Sequence, residues 1–560
     1  MLKTKTKRVA TLAIGEFRAR EFWYSCHRCR FKVGSEELQR LVAKGCRVGY
    51  DVLVRVGHAF FLESRDNRQI VDELRQKNVS ASRSEVSYLA RKFIVYLVLL
   101  HKTMRKETKA FLSVHGGYIL HLDGTSEGES PHLISVLDGI TEIVLDNVKL
   151  PSENADDLIP FLKGIKAAYG DPVSVVTDMG KGFLAALREV FPNVLLFACH
   201  FHFLKNVGSE LFGQENDTIR KRLNSHGIQG TLRRRVRTLN SRIAKAPGVA
   251  DTFLAGIEGE DLVKLRALDG FAQVLLRALL MWVLEGKNQG HGRGFPFDQP
   301  LLVFCQRLST AYTLLGQFSQ SGLFKSETEK KLCSTILGDL LPVTKDLTLK
   351  TAVATMIEKV EVFNRLRVAM RITLAENKRG LNDEGELCSM KTIEKEVGKF
   401  RRWVSADRNR MKDNAYRKMI GLLDKYWDML FCDPIVVHTE TGKIIIQPQR
   451  TNNIMEQFFR NIMRTYRKKN GFQAMEKILK SMPENSPLVM NLRNKDFMGI
   501  LLAGKSDLAQ RFADIDAQIV HQEMNRPTEQ GTTSSGRLKK IVNAPTFLQT
   551  LMSMINKKAS

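Results

Sequence analysis

Five short apolar segments between Gly117 and Ala198 constrain the fold of this chain more than any other feature. Short apolar runs bounded by glycine or proline are typical of strands. The first three follow one another across short turns, which predicts an antiparallel meander, and helical patterns separate the rest, which is typical of parallel strands. The sequence therefore predicts an α/β domain with a mixed five-stranded sheet, whose strands are Tyr118–Gly124, His132–Leu137, Glu142–Asp146, Val173–Asp178 and Val194–Ala198.

Two of these segments carry an aspartate near their ends. Asp123 lies in the first segment and Asp178 in the fourth. These two strands would be neighbours in such a sheet, so we expect both carboxylates at one edge, where they repel each other unless a cation lies between them. A pair of divalent ions held by such acids catalyses phosphodiester displacement, and oxygen ligands favour Mg²⁺ or Mn²⁺ over zinc. Either aspartate alone is weak evidence, because aspartate is common in loops.

A third acid, Glu456, lies far downstream in a predicted helix that is rich in cations. The spacing of three or four residues places it on one face with basic side chains. A ladder of Glu–Arg ion pairs on a solvated helix explains this pattern too, but the two upstream aspartates favour a metal ligand. We predict Glu456 as the third ligand and the following cations as contacts to the DNA backbone: Arg460, Arg464, Arg467 and Lys468.

The region from Asp51 to His101 has the apolar spacing of three helices. Ser64 is predicted to cap the second helix, and Ser82 to Glu85 is a capping-box sequence that opens the third. A short link between the last two helices resembles a helix-turn-helix, with Arg83 placed to contact DNA. The alternative is a plain helical bundle that packs on the next domain.

The first 50 residues are basic and contain a C-x2-C pair, Cys26 and Cys29. Such a pair is half of a zinc ribbon. Cys46, with His27 or His58, would complete a site only at irregular spacing. We favour a metal-free or degenerate knuckle over a zinc site.

Several motifs, taken together and in order, resemble the DDE transposases of the Mutator-like kind. The resemblance covers about Gly117 to Gly471 and implies an RNase H-like catalytic fold. It also implies that Asp123, Asp178 and Glu456 bind two Mg²⁺ or Mn²⁺ ions. Asp178 and Glu456 are 278 positions apart, and the segment between them would hold an all-helical insertion. The motifs are Leu122–Thr125, Val176–Gly182, Cys199–His202 with Asn206, and Asn452–Arg460.

Two further residue roles follow from this resemblance. His202, in a C-x2-H pattern with Cys199, would lie near the metals and position substrate phosphate. The alternative is that both residues are buried or structural. Trp403, which follows Arg401 and Arg402, would stack on a displaced base, as in related hAT-like enzymes. A helical tryptophan is more often part of a core.

Composition agrees with a nucleic-acid partner. The 560 residues include 86 basic and 60 acidic side chains, a net charge of +26, so we expect nucleic acid first and an anionic membrane second. The apolar run from Phe93 to Leu100 is too short to span a membrane, and no signal peptide is evident. Eight scattered cysteines indicate reduced thiols, and we expect a soluble intracellular protein, nucleoid-associated in a prokaryote and nuclear in a eukaryote.

The sequence thus predicts a transposase that cleaves terminal inverted repeats and joins the 3′-hydroxyl to target DNA, acting as a dimer or higher oligomer. A domesticated DNA-binding regulator and a structure-specific nuclease of the same fold are the alternatives. The retained acids disfavour the first and the long insertion the second. The predicted parts are a basic segment with the knuckle (1–50), a helix-turn-helix-like DNA-binding domain (51–110), the RNase H-like catalytic domain (111–205 and 436–480), the helical insertion (206–435) and a helical, flexible tail (481–560).

Overall fold

The computed structural model describes residues 3–245, 248–259, 270–322, 324, 326–373, 388–440, 442–526, 544–547 and 549. From residue 527 to 538, the predicted flexible segment lies outside these ranges. Within them, no helix combines the length and the apolar character needed to cross a membrane.

The chain begins with a three-stranded antiparallel sheet, whereas the sequence pattern predicts only a basic segment with the knuckle. Its strands are β1 (Lys3–Thr11), β2 (Gly15–Ser25) and β3 (Lys32–Val33), in that order across the sheet. Gly15 makes the turn into β2 with a φ of 82°, and a Cβ there would lie 2.9 Å from Asn78. Glycine is therefore needed at this turn.

Helices α1 to α5 follow, and they confirm the three predicted in this region. Ser64 is not the cap of α3, because it lies in a turn at a φ of 60°. Asp66 caps α3 instead and accepts the N–H groups of Arg68 and Gln69. Ser82 does cap α4, since its hydroxyl accepts the N–H of Glu85 at 3.1 Å. The helices are α1 (Glu36–Leu41), α2 (Tyr50–Phe61), α3 (Asn67–Gln76), α4 (Arg83–Thr103) and α5 (Arg105–Val114).

The predicted mixed sheet is confirmed, with the strand order β6-β5-β4-β7-β8. The β4/β5 and β5/β6 pairs are antiparallel, and the β4/β7 and β7/β8 pairs are parallel. The strands are β4 (Ile119–Thr125), β5 (His132–Asp138), β6 (Val144–Leu150), β7 (Ser174–Thr177) and β8 (Leu195–Ala198), with α6 (Ala155–Tyr169) and α7 (Lys181–Val190) between β6, β7 and β8.

A long helical segment separates this sheet from the basic helix, as predicted. Its described helices are α8 (His200–His226), α9 (Ile228–Ile243), α10 (Val249–Glu258), α11 (Phe271–Glu285), α12 (Pro300–Gln320), α13 (Glu327–Thr344), α14 (Leu347–Met370), α15 (Met390–Ala406), α16 (Arg408–Lys412) and α17 (Asn414–Leu430). The predicted hairpin follows as β9 (Ile435–Thr439) and β10 (Gly442–Ile446), which pair antiparallel. The basic helix is α18 (Asn453–Asn470), and then come α19 (Met475–Ser481), a 3-10 helix (Ser486–Arg493), α20 (Lys495–Leu502), α21 (Leu508–Ala513) and α22 (Ala517–Asn525).

Two large hydrophobic cores organise these elements. The first joins α2 and α4 to the five-stranded sheet, to α18 and to the C-terminal helices. The second lies among the helices of the insertion. The predicted boundary near residue 110 therefore does not separate two cores, since the N-terminal helices pack with the sheet. Helix α18 returns from the insertion to the first core, which fixes its position against β4.

Candidate active site

The sheet register places the two predicted aspartates side by side. Leu122 of β4 pairs with Thr177 of β7, so Asp123 and Asp178 occupy the next position on two adjacent parallel strands. Asp123 lies within β4, which continues to Thr125, and its Oδ1 accepts the N–H of Gly124 at 2.8 Å. Asp178 follows β7, and its Oδ1 accepts the N–H of Gly180 at 3.0 Å. The two aspartates therefore lie next to each other at one edge of the sheet.

The charge of Glu456 also acts on the Asp123 carboxyl. Burial raises the pKa of Asp123 to about 8, and the neighbouring charge of Asp178 is the next cause. The charges of Glu456 and Glu153 raise this pKa further, while the N–H of Gly124 acts against them. The carboxylates of Asp178, which follows β7, and of Glu456 on α18 therefore lie close enough to Asp123 to disfavour its ionisation.

Glu456 does not take part in a ladder of ion pairs. Among the described residues, its carboxylate has neither an ion pair nor a hydrogen bond, although it lies one helical turn from Arg460. The cations on this part of α18 are exposed and also lack ion pairs with described residues: Arg460, Arg464, Arg467 and Lys468. The solvated-ladder alternative is therefore wrong, and both the acid and the cations remain available to other partners.

A buried asparagine, Asn452, fixes the start of α18 against the aspartate. Its N–H donates to the Cys199 Sγ at 3.1 Å, and its Nδ2 donates to the Leu122 carbonyl at 3.3 Å and to Asp123 Oδ2 at 3.4 Å. Its Oδ1 accepts from His121 Nδ1 at 2.8 Å. Burial lowers the pKa of His121 to about 4, so the ring is neutral. Because Asn452 Oδ1 can only accept a hydrogen bond, the ring carries its hydrogen on Nδ1. The side-chain amide of Asn452 thus joins α18 to β4 beside the acids, and its backbone N–H joins α18 to Cys199, which precedes α8.

Substitution of Asn452 by alanine is expected to lower the free energy of unfolding by about 2–4 kcal/mol, because it leaves His121 Nδ1 and the Leu122 carbonyl, both buried on β4, without the side-chain amide. Asn453→Ala is the matched control, since Asn453 is the exposed neighbour and its side chain has no hydrogen bond with described residues. Denaturant unfolding of both variants measures the difference. Equal unfolding midpoints would show that the Asn452 side chain does not stabilise the junction of α18 with β4.

Arg450 connects the same junction to the insertion. Its carbonyl accepts the N–H of His200 at 2.8 Å. Its guanidinium donates to the carbonyls of Met370 and Arg371, each at 2.9 Å, at the end of α14. His200 Nε2 in turn lies 2.6 Å from the Leu430 carbonyl at the end of α17. The chain therefore enters α18 from a segment bonded to both the insertion and the start of α8.

His202 lies in the first turn of α8, where the charges of Asp178 and Glu456 act on its ring. Its Nδ1 is inaccessible to solvent and has no hydrogen-bond partner among the described residues. Burial lowers the pKa of this ring, and the charges of Asp178 and Glu456 oppose that shift. Cys199 has the structural role instead, since burial raises its pKa to about 12 and keeps the thiol protonated.

Glu153 is a neighbour of the site that the sequence did not reveal. It lies in the loop before α6, where its Oε1 is 3.0 Å from His132 Nδ1. A Cβ added to Gly124 would meet the same oxygen at 2.6 Å, which places the carboxylate beside the residue that follows Asp123. Loops that precede helices are commonly acidic, so no sequence signal distinguishes this glutamate.

The other predicted DNA contacts lie outside this cluster. Arg83 is the exposed first residue of α4 and has no ion pair with a described residue. The Trp403 ring is half-buried, and the guanidinium carbons of Arg365 and Arg410 each lie 4.0 Å from its centroid. A base that stacked on this ring would compete with those guanidinium groups. Arg401 is paired with Asp424 at 2.6 Å.

No preformed metal centre is present in the part of the chain that the structure describes. No group of three or more His, Cys, Asp or Glu side chains is arranged there so that it could hold a metal ion. Cys26 and Cys29 are exposed thiols, with hydrogen bonds from Cys29 and Arg28 lowering the pKa of Cys26. The sequence matches no protein-family model, and no curated protein matches it either.

Proposed function

We propose that this chain is a DDE transposase of the Mutator-like kind with an RNase H-like catalytic domain. The proposal is supported by the charges of Asp178, which follows β7, and of Glu456 on α18, both of which act on the Asp123 carboxyl of β4. Their repulsion of its ionised form helps to raise the pKa of Asp123 to about 8, and Glu456 has no ion pair with a described residue. The strand order supports an RNase H-like sheet, in which the first and fourth strands adjoin.

The donor set suits a hard divalent cation. Three carboxylates with unrelieved repulsion attract positive charge, and oxygen ligands favour Mg²⁺ or Mn²⁺. Since the side chains are not arranged as a ready metal set, binding would require the carboxylates to rotate towards the ions. Two such ions, when bound, would supply the charge that activates the attacking oxygen and stabilises the leaving oxygen.

The remaining residues of the site would hold and orient the DNA. Asn452 donates to Asp123 Oδ2 at 3.4 Å and would restrain the orientation of this carboxylate. His202 would position a substrate phosphate, as the resemblance implies, since the charges of Asp178 and Glu456 act on its ring. The exposed cations of α18 would bind the flanking phosphates. Helices α3 and α4 would form the helix-turn-helix-like element, with Arg83 at the DNA.

Removal of three α18 cations is expected to weaken DNA binding. The variant Arg460→Gln/Arg464→Gln/Arg467→Gln should lose about 10-fold or more in affinity at fixed salt. The slope of log K against log salt should become shallower by about 0.9 for each phosphate that the variant no longer neutralises. Anisotropy titrations of a labelled duplex over a salt series measure both quantities.

The matched control removes three exposed cations elsewhere, as Arg188→Gln/Lys345→Gln/Lys350→Gln. Both variants carry the same net charge, so a general electrostatic effect would weaken both equally. Equal losses would contradict a specific role for α18.

A joining assay separates the proposed function from its alternatives. A labelled duplex with a recessed 3′-hydroxyl from the DNA that flanks the coding region is incubated with the full chain, Mg²⁺ and a target plasmid. If the chain is a transposase, we expect the label to become covalently joined to the plasmid. Cleavage without joining would indicate a nuclease, and binding with neither would indicate a regulator. Two element ends must be processed together, so the active species is expected to be at least a dimer.

A further inference from the structure

The N-terminal sheet has one face that the following residues cover. Glu21 Oε1 accepts the N–H of Ser35 at 3.2 Å, and Lys7 Nζ donates to the Ala43 carbonyl at 3.3 Å. A Cβ at Gly34 would lie 3.1 Å from the Trp23 ring. The pairs Lys7↔Ala19, Lys5↔Glu21 and Lys3↔Trp23 share this face, because residues directly opposite each other in an antiparallel pair point the same way.

The opposite face is open and apolar towards the end of β2. Phe22 is 43% exposed and Tyr24 is 55% exposed. Tyr24 pairs with Val33 of β3, which is 43% exposed, and Phe31 beside β3 is 67% exposed. Isolated exposed apolar residues are ordinary, but several that are contiguous on one sheet face indicate an interaction surface.

Arginines continue the same face along β2. The register places Arg20 opposite Thr6 and Arg18 opposite Arg8. The guanidinium carbon of Arg20 lies 5.5 Å from the Phe22 ring centroid. Arg18 and Arg20 are exposed and have no ion pair with a described residue. We call this surface the open face and define it by Thr4, Thr6, Arg18, Arg20, Phe22, Tyr24 and Val33.

The charge of this region complements a polyanion. Between Lys3 and Val33 the sequence has nine Lys or Arg and two Glu. Both glutamates are engaged, Glu16 with Arg8 and Arg47 and Glu21 with Ser35. Because Arg18 and Arg20 have no carboxylate of a described residue to neutralise them, a partner that covers the open face must supply negative charge. A nucleic acid supplies both the phosphates and the flat rings that this face fits.

We propose that the open face binds single-stranded DNA, with bases stacked on Phe22 and Tyr24 and phosphates bound by Arg18 and Arg20. Only unpaired bases present their faces to aromatic side chains, so a single strand fits this surface better than a duplex. The choice of DNA over RNA rests on the proposed function. The surface is separate from the acids and from α18, and it would hold the strand displaced near a processed end.

The test is binding of a fluorescent oligo(dT) of about 15 nucleotides by the full chain in EDTA, which prevents cleavage. The variant Phe22→Leu/Tyr24→Leu keeps apolar side chains but removes the stacking rings. Its affinity for oligo(dT) is expected to fall about 10-fold or more, while its affinity for a duplex of the same length changes less than about twofold. Tyr88→Leu is the matched control, because Tyr88 is 52% exposed on α4 and lies outside the open face.

Each result supports or overturns the proposal. Oligo(dT) affinity within about twofold of the parent chain in Phe22→Leu/Tyr24→Leu would overturn it, and so would equal losses for single strand and duplex. Tighter binding of oligo(rU) than of oligo(dT) would overturn the choice of DNA. In Arg18→Gln/Arg20→Gln, an unchanged salt slope would overturn the phosphate contacts. Stacking-dependent binding by a chain that neither cleaves nor joins DNA would refute the transposase and leave this site standing.

Discussion

Asp123→Asn is expected to abolish DNA cleavage and joining while it stabilises the metal-free fold at neutral and higher pH. The amide cannot supply the negative charge that a divalent ion requires, so activity should fall at least about 10³-fold. The stabilisation follows from the raised pKa of this buried carboxyl, which makes its ionisation costly. Asp156→Asn is the control, because Asp156 is exposed on α6.

The pH dependence of unfolding gives this prediction a definite sign. The pKa of Asp123 is about 8 in the folded chain and about 3.9 in an unfolded one. Between these values the folded state binds more protons, so the free energy of unfolding decreases as pH rises from about 4 to about 8. Asp123→Asn should lack this decrease and, with metal chelated, melt at least about 2–4 °C higher than the parent chain near pH 8. A lower melting temperature of the variant at that pH would show that ionisation of the Asp123 carboxyl does not destabilise the folded chain.

Glu456→Gln is expected to lower cleavage and joining about 10³-fold without weakening duplex binding. The carboxylate has no ion pair with a described residue, so its removal breaks no such pair, and the α18 cations remain in place. Single-turnover cleavage measures the first effect and anisotropy the second. A further readout is the rise in melting temperature with Mn²⁺, which the variant should lose if Glu456 is a ligand.

Glu258→Gln is the matched control for this change, since Glu258 is exposed on α10 in the helical insertion. It should keep the activity and the Mn²⁺ response of the parent chain. Activity of Glu456→Gln within about fivefold of the parent would remove Glu456 from the proposed ligand set.

Strand patterns made the centre of the fold predictable. Period and turn spacing indicate the five strands, and adjacency of the first and fourth brings Asp123 to Asp178. The N-terminal sheet was not predicted because Lys3 to Lys7 alternates charged residues with threonine and shows no apolar face. Contacts between side chains that are distant in sequence could not be predicted either. Asn452 contacts residues about 330 positions away, and its role depends on how α18 returns to the sheet.

The environment of Lys469, in the last turn of α18, could not be predicted from the sequence either. Lys469 looks in sequence like one more cation of the DNA-binding face. It is instead buried, with its Nζ 3.4 Å from the Phe60 ring centroid and 4.0 Å from that of Tyr466. Burial lowers its pKa to about 7. Helical spacing gives the face of a side chain, but which neighbour covers that face depends on tertiary packing.

Metal-dependent joining of DNA by the full chain is the most direct test of whether the chain is a transposase that uses Asp123 and Glu456. A labelled duplex from the DNA that flanks the coding region, a target plasmid and either Mg²⁺ or Mn²⁺ are combined with the parent chain, Asp123→Asn or Glu456→Gln. With the parent chain and metal, we expect the label to be joined to the plasmid through its 3′-hydroxyl, and we expect no joining with EDTA or with either variant. Joining that persists in both variants would contradict the assignment of these acids, and the absence of both cleavage and joining with the parent chain would contradict the proposed transposase.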